Sequence, residues 1–250
     1  MSAPSYQPFV LFHTSHLIVL ALTVVVPLVL AALVRGLKSA GLERAIRWIF
    51  AVQIAGIWVL WFVVFHRMGW LDLGNALPMD LCSWAAIATV VTLVRPGQKS
   101  YELAYFWALA GTIQGLLRPG IPYDFPEFRF IEFSLFHGGI IAAVLFLTVG
   151  AKLRPYPSSI PRVVAWTLVY MAAAGATDWA LGVDYGFLRA KPIYPSLFDL
   201  MPAWPWYLPV LVVLGFVSVL VYYAPFFAID LVRKAFKRTR PRHQPISRPL

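Results

Sequence analysis

The chain is 250 residues long, 60% apolar and 13% charged, with a mean hydropathy of +0.72. A water-soluble domain carries about a quarter charged residues, so a soluble enzyme, a secreted scaffold and a disordered tail are excluded and a lipid bilayer is the solvent. The net charge of +10 is divided among short links and one C-terminal cluster, which argues against a nucleic-acid partner, and a single cysteine, Cys82, leaves no intramolecular disulfide to form.

Seven apolar spans are predicted in chain order, at 16–34, 46–65, 77–94, 101–118, 131–149, 162–182 and 205–228. Each is about 18–24 residues, enough to cross a hydrocarbon core as a helix. Alternating strand patterns are absent, and backbone groups in lipid must be satisfied within the segment or in a closed barrel. The predicted fold is therefore an all-α polytopic membrane protein, one seven-helix domain at 1–232 with a basic, disordered tail at 233–250. No Lys or Arg precedes the first span and no small-residue cleavage site follows it, so it reads as a retained span. No internal repeat divides the spans into two inverted halves, which disfavours a repeat-built transporter.

Alternate links carry five and sixteen Lys and Arg residues. The basic side faces the cytoplasm, which puts the N-terminus outside and the C-terminus inside. This pattern suits a bacterial cytoplasmic membrane, or an endoplasmic-reticulum membrane with its site toward the lumen. The tail cluster from Lys234 to Arg248 is expected to rest on anionic lipid.

Ionisable residues inside spans are costly and mark candidate functional sites. With span three entering at Leu77, Asp80 and Cys82 lie about 5–8 Å inside, and His137 of span five about 9 Å inside. Gln114 and Asp178 lie about 6 Å from the outer ends of spans four and six, and His13 and His16 stand at the mouth of span one. These groups converge on one stratum of the outer leaflet. Gly111 and Gly115, at GxxxG spacing, and Gly138 with Gly139 allow close helix approach there. The link 183–204, with Tyr185, Phe187, Tyr194 and Trp204, is long enough to form a lid over the mouth or an interfacial aromatic belt.

Cys82 and His137 form the obvious nucleophile and base: an imidazole that takes the thiol proton makes a competent thiolate. Asp178 or Asp80 can orient the imidazole, and the Gln114 amide can donate to an oxyanion. Zinc is the competing chemistry, with His13, His16, His137, Asp178 and Cys82 as nominal ligands, but HExxH and CxxC spacings are absent and no metal is assigned. No cofactor is implied.

The strings LPMDLC at 77–82, YFWALAGTIQGLLRP at 105–119, FSLFHGG at 133–139, DYGFLRAKP at 184–192, SLFD at 196–199 and WPWY at 204–207 resemble the YwaF-like integral membrane family that includes transmembrane protein 164. The resemblance runs from FHTSH to WPWY and implies an architecture similar to that of the androgen-induced membrane threonine hydrolases. It also implies an acyltransferase that loads long acyl chains onto lysophospholipids through a cysteine acyl intermediate, with Cys82 as nucleophile and His137 as its partner. Asp80 stands where the family pattern leads one to expect His or Gln, and Asp178 and Asp184 where it leads one to expect Asn, so this cavity is more acidic.

The expected function is transfer or hydrolysis of a fatty acyl group on a phospholipid or lysophospholipid, with His16, Asp80, Asp184, Arg189 and Lys191 near the headgroup and membrane lipids as the remaining partners. The rival reading is a non-catalytic small-solute carrier or lipid-binding module. A carrier needs polar residues through the inner half, which holds little beyond Gln53 and Glu102.

Overall fold

The computed structural model describes residues 7–193 and 196–239. Among them the only regular elements are helices, apart from an isolated antiparallel bridge between Pro8 and Tyr123. The helices are α1 (Thr14–Leu37), α2 (Ala40–Met68), α3 (Leu81–Val94), α4 (Gln98–Trp107), a π-helical turn (Ala108–Thr112), α5 (Ile113–Leu117), α6 (Phe128–Val149), α7 (Ser159–Leu181), a 3-10 turn (Leu197–Leu200) and α8 (Tyr207–Thr239).

Helix ends depart from the apolar runs where local chemistry overrides hydropathy. α2 starts six residues before its predicted span because the Ser39 hydroxyl accepts the Leu42 N–H at 3.2 Å, with Glu43 in the favourable first turn. It stops at Gly69, whose φ of +69° suits glycine. α8 runs on to Thr239, past the predicted end at 228, and no residue over that stretch breaks a helix. Residues 240–250 of the predicted tail lie outside the described residues.

Five helices, α1, α2, α6, α7 and α8, are long and apolar enough to cross a membrane, and α3 is a shorter apolar helix. α6 is central: 61% of its apolar window is buried, against 11–22% in the other four. The rod from α4 through α5 is less apolar because protein covers it, with Tyr101, Ala104, Phe106 and Ala108 fully buried. The peripheral helices expose Val25, Ile49, Val52, Leu168 and Val213, the surface that lipid rather than water would solvate.

Close backbone approach seats α6. Gly138 faces Thr23 of α1, and a Cβ there would stand 2.8 Å from the Thr23 hydroxyl. Gly139 faces Gln53 of α2, whose amide donates to the Leu135 carbonyl at 2.9 Å. The predicted glycine contacts on α6 are thus formed, and the one mid-span amide is spent on helix packing.

The helix ends sort into two layers. At one end Arg162 donates to both oxygens of the buried Glu102 at 2.7 and 2.9 Å, and Arg154 donates to Asp230 at 2.9 Å. The other end gathers the starts of α1, α3, α6 and α8 and the ends of α2, α5 and α7. His16 joins α1 to Leu116 of α5, Arg129 lies over Phe65, and Tyr185 reaches Leu73 and Leu77.

Candidate functional site

Cys82 stands at the start of a helix rather than within one. Pro78 biases Leu77 toward extended backbone, and the Leu77 N–H donates to the Tyr185 hydroxyl at 2.9 Å. Helix α3 accordingly begins at Leu81, four residues later than predicted, with Asp80 as its N-cap residue and Cys82 second in the helix. The thiol is half-buried, packs against the main core and has its own backbone N–H within reach.

Three buried oxygens near this position lack a well-formed hydrogen bond: Thr112 Oγ1, the Tyr170 hydroxyl, which has the Leu81 N–H within reach, and Asp178 Oδ2. Thr112 closes the π turn, is fully buried and interacts with the Cys82 thiol, although no well-formed hydrogen bond joins them. Tyr170 of α7 packs edge-on against Trp84 at 5.5 Å and lies within electrostatic reach of Cys82, Asp80 and Asp178. Buried polar atoms are nearly always paired, so this cluster is the candidate position for a bound water or substrate group. π turns also recur at functional sites. Sequence reasoning passed over both hydroxyl residues; the available signals were Thr112 inside the AGTIQG string and Tyr170 as the lone hydroxyl in LVYMAAAG.

The segment after α7 covers the cluster. Asp178, fully buried, accepts the Tyr185 N–H at 2.7 Å through Oδ1, and Asp80 accepts the Gly186 N–H at 3.3 Å. Gly186 has a φ of +62°, and its Cβ position is taken by the Tyr170 hydroxyl, so glycine is required twice over. Asp184 accepts the Arg189 N–H at 2.8 Å, and the Arg189 side chain donates to the Asp178 and Val183 carbonyls at 2.9 and 3.2 Å. Lys191 donates to the Met201 carbonyl at 2.8 Å. Both predicted headgroup cations therefore hold backbone carbonyls.

Asp80 remains open to the surface, yet desolvation by the protein around it pushes its carboxyl above the ordinary range. The Asp178 and Asp184 charges add to that, and the Gly186 N–H opposes it. An acid whose folded pKa is raised costs nothing while protonated in both states. Stability is lost as pH rises from about the ordinary 3.8 through the folded value. Asp80→Asn is expected to raise Tm at pH 7 and to leave it unchanged below pH ~3; melting curves across that range check it.

His137 stands on α6 with its ring stacked on Phe133 at 3.9 Å. Nδ1 lies 3.1 Å from the Phe133 carbonyl. A neutral ring donating there leaves Nε2 as the free base. A Cβ at Gly115 would sit 3.6 Å from Nε2, so that edge faces α5. Cys82 and His137 thus flank the same rod, at Thr112 and at Gly115 one turn further on, where α3, the π turn and α6 meet. No hydrogen bond joins the two side chains among the described residues.

The other candidates lie elsewhere. Gln114 is exposed, about 200° around the helix from Thr112. His16 is buried with both ring nitrogens engaged, accepting the Phe12 N–H at 3.1 Å and bonding the Leu116 carbonyl at 2.9 Å. His13 pairs with Asp124 at 3.5 Å beside a groove of about 610 Å³ between α1 and α6. That groove has no wall in common with Cys82, His137 or Asp178. Tyr194 lies outside the described residues. Among the described residues no group of three His, Cys, Asp or Glu side chains is placed to hold a metal ion.

These features define a multi-pass membrane protein with a cluster of polar side chains around a cysteine at one end of a helical bundle. A family model matches residues 11–223, and the chain belongs to the TMEM164 family. No curated protein and no solved structure matches it.

Proposed function

We propose that the protein is a lipid acyltransferase or acyl hydrolase working through a Cys82 acyl intermediate. The observation that carries this reading is the position of Cys82 on the first turn of α3, beside the buried hydroxyls of Thr112 and Tyr170. Family membership supports it.

In the proposed reaction the Cys82 sulfur attacks the carbonyl carbon of a phospholipid ester as its proton passes to His137 Nε2. The Thr112 and Tyr170 hydroxyls are free to donate to the developing oxyanion, the role first given to Gln114. The ester C–O bond breaks, the leaving alkoxide takes the proton from His137, and a thioester remains. A lysophospholipid hydroxyl, or water, then attacks the thioester, gives its proton to His137 and releases the thiolate, which recovers that proton. No direct bond between Cys82 and His137 is present, so the proton passes through a bridging water or hydroxyl within the closed complex. Asp178, Asp80 and the carbonyl-bonded Arg189 position the covering segment, and the lipid headgroup meets Asp184.

The membrane arrangement belongs to the same proposal. It has seven crossings, with α3 and the rod 98–117 as the third and fourth. The Cys82 end faces outward and the C-terminus the cytoplasm, in a bacterial cytoplasmic membrane. The basic-residue asymmetry of the links supports this orientation.

The test is direct. Purified protein incubated with acyl-labelled phosphatidylcholine and lysophospholipid is expected to carry label on the Cys82 peptide, removed by hydroxylamine. An unlabelled protein that still binds the lipid would establish the lipid-binding module instead.

A further inference from the structure

The segment 196–206 leads from the cover over Cys82 into α8, and its two sides differ in chemistry. The outward side is apolar and bare: Leu197 is 60% exposed, Leu200 86%, Trp204 58% and Trp206 71%. A water-facing link does not normally present four large apolar side chains within ten residues. The inward side is tied to the cover by hydrogen bonds. Trp204 Nε1 donates to the Leu188 carbonyl at 3.1 Å, the Tyr207 hydroxyl to the Phe187 carbonyl at 2.7 Å, and Lys191 to the Met201 carbonyl. Ser196 and Asp199 form a capping box that fixes the 3-10 turn carrying Leu197 and Leu200.

What lies against the bare side follows from its neighbours. The apolar faces of α7 and α8, with Trp179 at 87% exposure near the end of α7 and Val212 and Val213 in the first turns of α8, belong to helices long and apolar enough to cross a bilayer. The strip continues that lipid-facing surface beyond the helix ends. Indole rings with one N–H partnered and the ring face bare are the side chains that settle at headgroup depth. We infer that the segment 196–206 lies in the membrane interface with Leu197, Leu200, Trp204 and Trp206 in lipid. It thereby ties the cover over the Cys82 cluster to the bilayer surface. The partner is the lipid interface of the leaflet nearest Cys82, and the inference holds whatever chemistry Cys82 performs.

A reporter at Leu200 tests the placement. The full chain carrying Cys82→Ala and Leu200→Cys, labelled with an environment-sensitive nitrobenzoxadiazole dye, is reconstituted into phosphatidylcholine vesicles. Emission is expected to be blue-shifted and quenched more by lipid spin-labelled near the headgroup than near the chain end. The same dye at exposed Asp72, through Asp72→Cys, is expected to emit as in water. Water-like emission at position 200, unaffected by either spin-labelled lipid, overturns the placement. The coupling has its own test: Leu200→Glu with Trp206→Glu is expected to speed amide exchange at Tyr185 and Gly186 by on the order of tenfold. Unchanged exchange overturns the tie while leaving the placement standing.

Discussion

Cys82→Ala is expected to reduce acyl turnover to background and to abolish the hydroxylamine-sensitive label, with folding retained, because the half-buried thiol packs as a small side chain at a helix start. Cys82→Ser is expected to be nearly as inactive. A hydroxyl is a far weaker nucleophile than a thiol and gives up its proton to an imidazole far less readily. His137→Gln removes the base while keeping an amide that can donate to the Phe133 carbonyl, and a loss of about 10²–10⁴-fold in turnover is expected. Lipid transfer measured with all three variants checks the scheme. Full turnover in Cys82→Ala removes the covalent step, and full turnover in His137→Gln removes the proton transfer alone.

The second large effect is on the fold. Gly138→Leu would place four carbons where a single Cβ already meets the Thr23 hydroxyl at 2.8 Å. Thr23 cannot swing aside cheaply, because its side chain is short and bonded to the Val19 carbonyl at 2.8 Å. Overpacking of this kind costs about 1–3 kcal/mol and at times more, and in lipid no water-driven term presses the helices back together. The variant is expected to fail to accumulate. Gly138→Ala offers a measurable version: a loss of about 1 kcal/mol alone, largely recovered when Thr23→Ala removes the opposing oxygen. A double-mutant cycle of thermal stability in detergent should show coupling between the two positions of about 0.5–1 kcal/mol. Strict additivity would mean that α1 and α6 are not seated there.

Long apolar runs made the helices legible from the residue order, and α1, α2, α6, α7 and α8 fall where hydropathy puts them. Hydropathy did not show where α3 starts. Leu77 looks like membrane, but the proline after it and the distant Tyr185 hydroxyl hold it outside the helix. The pairing of the glycines was half visible. Gly111 and Gly115 share a spacing but not a neighbour, the first meeting Leu81 of α3 and the second His137 of α6. Depth brought Cys82 and His137 to the same layer, and the structure sets both against one rod. Depth alone could not tell an engaged histidine from an open one, which is why His16 entered the candidate list. Nor could it foresee that Arg189 and Lys191 are occupied by carbonyls, since such bonds depend on loop paths that composition does not encode.

The wide turn at Ala108–Thr112 carries a residue that a regular α-helix would not accommodate. One inserted residue advances everything after it by about 100°, so the rod is clocked differently before and after that point. The upstream half is set by its fit to α3 and the downstream half by its fit to α6, and neither setting has to compromise for the other. A straight helix would have to serve α3 and α6 with one azimuth; this one has two.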